Sequence, residues 1–297
     1  MERPGAILRD YSSYCFCRCG VVYPAASKTF GTCTVSSGNA PHVPSLAVVF
    51  AGIHRGLIRL QRIPSLMLPA VLMPVFFVVA FSGSFASIVE LEGYETDKAV
   101  NWMTAWAVMQ GSAFSGMGAG GLAGTDLENG FFDRLRVAPT RPMALIGGLV
   151  GYCVCRALIP ITAVLIVAFA FLGADMPGGA LGIAMVYLSG IGMAVVMSFL
   201  VLGIVFTFKT LKSLAIAQII MFSSMFLSVG QAPIQAIEGW LHHVAAINPI
   251  TNVIRMCRQG FLGEVTWSIT QPGLIALFGM MVGTGIWARI RYKKVDA

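Results

Sequence analysis

The sequence predicts an all-α integral membrane protein with six transmembrane helices, and three observations carry that expectation. Six stretches, Ile63–Val89, Ala99–Thr125, Ala157–Ala174, Met176–Phe208, Ser213–Ile237 and Val265–Ala288, contain no Asp, Glu, Lys or Arg. A helix crosses the hydrocarbon core of a bilayer in about 20 apolar residues, and buried soluble helices seldom run that far without a charge. Charged residues make up 11% of the chain, less than half of the roughly 25% usual in globular domains. The charges also divide by side. With the N-terminus in the cytoplasm, Arg55, Arg59, Arg62, Arg134, Arg136, Arg141, Arg156, Lys209, Lys212, Arg289, Arg291, Lys293 and Lys294 flank the inner ends of the spans, against Lys98, Arg255 and Arg258 outside. That is a positive-inside bias with both termini cytoplasmic. The net charge of +7 therefore reads as topology and contact with anionic membrane lipid, not as a nucleic-acid patch. A length of 297 residues suits one bundle and leaves no room for a separate soluble domain.

Residues 1–44 differ from the rest. Cys15, Cys17, Cys19 and Cys33 lie among Ser, Gly, Pro and Thr, without the paired C-x2-C knuckles or histidines of common zinc sites, so no metal is expected there. The segment is too broken for a signal peptide. It is expected to be a disordered cytoplasmic tail, or a stretch upstream of a true start near Val43–Val48. Over 46–62, Leu46, Phe50, Ile53, Leu57 and Leu60 fall within about 40° of one direction on a helix, with Arg55, Arg59 and Arg62 opposite. This predicts an interfacial helix flat on the inner membrane surface, its arginines in the headgroups.

The spans follow. The first, 63–85, holds Pro69 and Pro74, which predict a kink. In the second, 99–124, Gly116, Gly120 and Gly124 have the spacing that lets helix backbones approach. Gly147 with Gly151 and Gly279 with Gly283 repeat it, for packing within one bundle or at a subunit interface. The third, 154–174, places Arg156 at its inner end, where it reaches phosphates. A start at Met143 would instead put Arg156 within the bundle and require a partner. The fourth, fifth and sixth spans are 179–207, 213–236 and 267–288. Between the last two, 238–262 predicts an outer re-entrant hairpin of two short helices, broken at Asn248-Pro249. In its second helix Ile250, Ile254, Cys257 and Phe261 make an apolar face, and Thr251, Arg255 and Arg258 a polar one. His242 and His243 point in different directions on a helix and are not expected to hold metal.

The loop after the second span is the most specific stretch. Thr125 with Glu128 fits a capping box that starts a helix over 126–139. Gly130 permits a bend, Phe131, Leu135 and Ala138 share a face, Asp133, Arg134 and Arg136 offer charge, and Pro139 ends the turn. Such a helix suits docking of a soluble partner; a solvated loop with snorkelling arginines fits the same residues.

Glu128, Gly130, Asp133, Arg134, Leu135, Arg136, Pro139 and Arg141, followed by Gly147 and Arg156, form one pattern. Trp240, Asn248-Pro249, Thr251, Arg255 or Arg258, and Gly260 or Gly263 form a second. In this order they resemble ABC-2 type permeases, in the drug-exporter branch typified by daunorubicin-resistance permeases, over roughly Leu46 to Lys294. The resemblance implies a type V exporter-like fold in which the cytoplasmic coupling helix seats in a cleft of a separate ABC ATPase subunit. Asp133, Arg134 and Arg136 would make the polar contacts, with Phe131, Phe132 and Leu135 as the apolar insert. It further implies a permease homodimer in a two-plus-two complex, and an outer hairpin over the exit. This chain departs from the pattern at Ile237-Glu238, where a Met/Leu-Pro pair often stands.

No G-x-x-x-x-G-K-[ST] is present, so no cofactor is expected in this chain; ATP and Mg would lie on the partner ATPase. No catalytic constellation is placed by motif, so the chain is expected to be no enzyme. With Arg156 at the edge, no ionisable group lies mid-span, as proton-coupled carriers require. The expected function is a permease subunit in a bacterial plasma membrane, exporting an amphiphilic or apolar drug, lipid or secondary metabolite. The alternatives are export of a lipid-linked polysaccharide, a membrane-embedded enzyme, and a scaffold without transport.

Overall fold

The structure, a computed structural model, describes residues 44–86, 94, 96–131 and 142–296. The predicted tail, but for Pro44, lies outside the described residues. Nine α-helices run through them: α1 Ser45–Arg62, α2 Leu68–Ser84, α3 Ala99–Glu128, α4 Pro142–Ala170, α5 Gly179–Phe208, α6 Leu214–Phe226, α7 Gly239–Ile247, α8 Pro249–Leu262 and α9 Trp267–Asp296. Single 3-10 turns at Pro64–Leu66, Leu211–Ser213 and Ile234–Ala236 lead into α2, α6 and α7. No strand occurs among the described residues. The helices α4, α5 and α9 are long and apolar enough to cross a membrane, whereas Leu68–Ser84 and Leu211–Phe226 are shorter apolar helices. At 1.5 Å per residue, α2 reaches about 25 Å and α6 about 20 Å.

The axis of the bundle is α3, buried almost continuously from Ala99 to Gly116 and packed against α2, α4, α5, α6 and α8. Its small residues permit this. A Cβ at Gly116 would meet the Ala194 carbonyl oxygen of α5 at 2.6 Å, Gly120 abuts Val201, and Gly124 abuts Leu211. The Gly116-Gly120-Gly124 row therefore packs within the bundle. Gly111 lies between two prolines: a Cβ there would stand 3.1 Å from Pro74 of α2 and 3.0 Å from Pro160 of α4. Pro69 occupies the first turn of α2, where its missing N–H leaves no bond unmade.

In α1 the predicted amphipathic pattern resolves into three faces. Leu46 and Phe50 are exposed, at 71% and 67%. Gly52 and Gly56 lie against Gly148 and Tyr152 of α4, and Val49 and Ile53 cover Gly147 and Gly151. Arg55 and Arg59 turn to α3. The helix is thus clasped to α4 and α3 along two faces rather than resting on a membrane surface alone, because glycines on both helices let the backbones meet. By contrast, Gly279 and Gly283 of α9 face open space.

Several boundaries differ from expectation: the α-helix of the first span starts at Leu68, not 63, the third ends at Ala170, not 174, and the sixth continues to Asp296, eight residues past 288. The second span continues four residues past Gly124, as helix to Glu128. The third begins at Pro142, not 154, since proline is favoured at a first helical position and Met143–Cys155 is an uncharged run. The fifth ends at Phe226, not 236. There Ser224 and Ser228 donate back to the carbonyls of Met221 and Met225, a local alternative to helix propagation.

Candidate functional site

The last turn of α3 is where the bundle converges. Thr125 Oγ1 donates back to the Gly121 carbonyl at 2.7 Å, and Glu128 Oε1 accepts the Leu211 backbone N–H at 2.8 Å. The expected capping box is therefore not formed. Both of its residues belong to a helix that is ending, and their side chains are engaged elsewhere. The end itself is at Asn129 and Gly130, whose φ of +67° is a left-handed conformation that glycine adopts without strain.

One face of this turn carries charge. Asp126, 8% exposed, accepts from Nη1 of Arg55 at 3.3 Å and is ion-paired with its Nη2. Arg59 Nη2 donates to Thr125 Oγ1 at 3.2 Å. The Arg55 guanidinium also lies 4.6 Å from the ring centre of Phe131. So α1 is fixed to α3 by two arginines one turn apart, and the lead-in to α6 is fixed by Glu128. The chain that leaves at Phe131 returns at Pro142 into α4. Asp126 and Leu211 carry no local signal in the sequence, since the partner of Asp126 is 71 residues away. Arg62 is exposed. Phe132, Asp133, Arg134, Leu135, Arg136, Pro139 and Arg141 lie outside the described residues.

Arg156 is corrected from a helix end to a helix interior. It stands midway along α4, 7% exposed, and donates from Nη2 to the Leu66 carbonyl at 2.5 Å and from Nε to Met67 Sδ at 3.1 Å. Its guanidinium fills the space over Gly118 of α3. The same level continues through Ser198 and Phe199 of α5, which adjoin Gly116 and Gly285. Beyond it the four long helices run a further 14 to 21 Å, roughly, at 1.5 Å per residue. Asp126, Glu128, Lys209, Lys212, Arg289, Arg291, Lys293 and Lys294 all lie on that side, which is the basic end of the bundle.

At the opposite end the Asn248-Pro249 break is a joint. Asn248 Oδ1 accepts from Ile250 N and caps α8, while its Nδ2 donates to the carbonyls of Ser224 and Leu227 at the end of α6, at 2.8 and 3.1 Å. Pro249 is the first residue of α8, and Thr251 Oγ1 holds the Ala245 carbonyl of α7 at 2.6 Å. Arg258 is 2% exposed. It donates to the carbonyls of Trp102, Val229 and Gly230 at 3.2, 3.1 and 2.6 Å and lies 3.7 Å over the Trp102 ring. The expected polar face of this helix is therefore buried at Thr251 and Arg258, where backbone carbonyls meet the polar groups, and exposed at Arg255. Trp240 is 70% exposed. Burial pushes the Tyr94 phenol up, against the opposing pull of Arg258. Arg255, Arg258 and Glu264 line a cavity of about 390 Å3 beside Val229 and Pro233.

No cluster of three or more His, Cys, Asp or Glu capable of holding a metal occurs among the described residues. The chemistry available at the basic end is mechanical: ion pairs and carbonyl contacts that bind several helices to one turn.

Comparison with known proteins agrees with this architecture. The chain is 25% identical over 260 residues to the daunorubicin resistance ABC transporter permease protein DrrB1 of Streptomyces coeruleorubidus, a match covering 82% of this chain and 88% of that one. The family model for the ABC-2 type transporter matches residues 47–262, from α1 to the end of α8. The chain belongs to the ABC-2 type transporter family.

Proposed function

We propose that this protein is the transmembrane subunit of an ABC exporter, driven by a separate ABC ATPase subunit that carries ATP and Mg. The observation that carries this reading is the convergence at the C-terminal turn of α3. Any load on 132–141 is passed at once to α3 and α4, through Arg55 and Arg59 to α1, and through Glu128 to the start of α6. A coupling segment between α3 and α4 would thus move four helices as one body.

Six crossings with both termini cytoplasmic fit the same geometry. From Ala99 to Gly118 α3 rises roughly 28 Å, close to the hydrocarbon thickness of about 30 Å. The basic end then lies on the cytoplasmic side. The short α6 cannot span that depth alone, and the α7–α8 hairpin folded on its end would complete the outer part. Two permease copies with two ATPase subunits, in a bacterial plasma membrane, complete this reading; membership of the ABC-2 family supports it. The substrate would be an amphiphilic or apolar drug, lipid or secondary metabolite; the drug-resistance name of the relative supports that branch.

The test is transport and ATPase turnover of the permease reconstituted with its cognate ATPase, beside Asp133→Ala and Arg134→Ala. Both variants should insert normally and lose most substrate-stimulated turnover. Unchanged transport in both, or labelling of residues 128–141 from outside intact cells, would end this reading.

A further inference from the structure

Toward the basic end, a cavity of about 370 Å3 opens between α1, α2, α3, α4 and α6. That volume is in the range of small-molecule sites. Its lining includes the polar Arg59, Arg156 and Thr125 and the apolar Phe114, Met117 and Leu214. Of the five N–H donors of a guanidinium, Arg156 uses one on a carbonyl and one on a thioether sulfur, and it also faces the Tyr152 hydroxyl, which leaves donors over. Arg59 makes one bond, to a hydroxyl. Among the described residues no carboxylate is ion-paired with either. The two acids nearby are engaged, Asp126 by Arg55 and Glu128 by the Leu211 N–H.

Two positive charges lining one cavity, one of them 7% exposed, are costly without an anion. A free anion would satisfy the charges and leave the apolar wall unused. An amphiphile satisfies both. From the cavity's Pro69, Met73 and Phe76 follow along one side of α2 at helical spacing, and the last two are exposed at 39% and 64%, a track for an acyl chain. Gly121 opens the cavity floor, since a Cβ there meets nothing within 4 Å. We propose that this cavity binds the phosphate headgroup of an acidic phospholipid, with Arg59 and Arg156 on its oxygens and its chains along α2. That the inner leaflet supplies it rests on the orientation proposed above; the binding does not.

The experiment is native mass spectrometry of the full-length permease titrated with phosphatidylglycerol, phosphatidylcholine or inorganic phosphate. Phosphatidylglycerol should bind about tenfold more tightly than phosphatidylcholine, which has the same phosphate but also a choline cation that the two arginines repel. Its affinity should fall by about the same factor in Arg59→Gln and be largely kept in Arg59→Lys. Gly121→Leu should abolish it by filling the cavity with both arginines intact. Arg156→Gln should abolish it as well, but this side chain also holds the Leu66 carbonyl, so the Arg59 and Gly121 variants decide. Equal binding of both lipids, saturation by inorganic phosphate alone, or unchanged phosphatidylglycerol binding in Arg59→Gln and Gly121→Leu would overturn the site. Normal coupling to the ATPase without phosphatidylglycerol binding would remove the site and leave the exporter reading in place.

Discussion

Arg156 and Arg258 are the two arginines buried among the described residues, and they are used differently. Arg258 reaches three backbone carbonyls and an aromatic face, joining α8 to α3 and to the segment after α6. These partners are parts of the scaffold. Arg156 has one carbonyl, one sulfur and the Tyr152 hydroxyl, and it lines a cavity. A buried guanidinium surrounded by carbonyls is a staple. One with donors left over at a cavity is a receptor for something else. The comparison separates the molecule into an end joined by main-chain contacts and an end whose side chains line the proposed binding site.

The largest expected effect tests the staple. Arg258→Gln leaves carbonyls of Trp102, Val229 and Gly230 without their donor and should cost about 3–5 kcal/mol, as for other broken buried charge networks. Thermal unfolding of the purified protein in detergent measures it. Arg258→Lys should recover only part, because one ammonium does not reproduce a planar fork. Arg156→Gln should cost less, about 1–3 kcal/mol, the loss from one charged hydrogen bond. If the order of the two were reversed, the distinction between staple and receptor would be wrong.

Asn248→Ala comes next on the rigid end. It removes a helix cap and two donations to α6, and about 1–2 kcal/mol is expected. Hydrogen exchange should quicken at residues 224–230 while α3 stays protected; uniform acceleration would mean that Asn248 is not a local joint. The smallest stability change belongs to the basic end. Asp126→Asn weakens a pair with a partly exposed arginine, worth about 1 kcal/mol or less. Its effect on substrate-stimulated turnover of the permease–ATPase complex should nevertheless exceed that of Asn248→Ala, if the last turn of α3 carries the load. Equal turnover in the two variants would place coupling elsewhere.

Much of the fold is legible in the amino-acid sequence. Three of the uncharged runs lie in α4, α5 and α9, and two more in the shorter apolar helices α2 and α6, because a run without charge has nowhere to go but a core or a bilayer. The helix over 46–62 follows from its 3.6-residue period, and the break at Asn248-Pro249 from proline's restriction of the preceding residue. The candidate site is less legible. Thr125 and Glu128 carry a helix-start signature yet end one, since the bonds that decide their roles go to Gly121 within α3 and to Leu211 beyond the next two helices.

Composition and periodicity by themselves determined which segments are apolar, where most helices lie and that the basic residues gather at one end of the bundle, because those properties are set by neighbours in the chain. Only the tertiary structure decided what each charge does. Arg55 meets Asp126 across 71 residues and Arg258 meets Trp102 across 156. Whether a buried arginine is satisfied depends on such distant partners, and chain spacing carries no record of them.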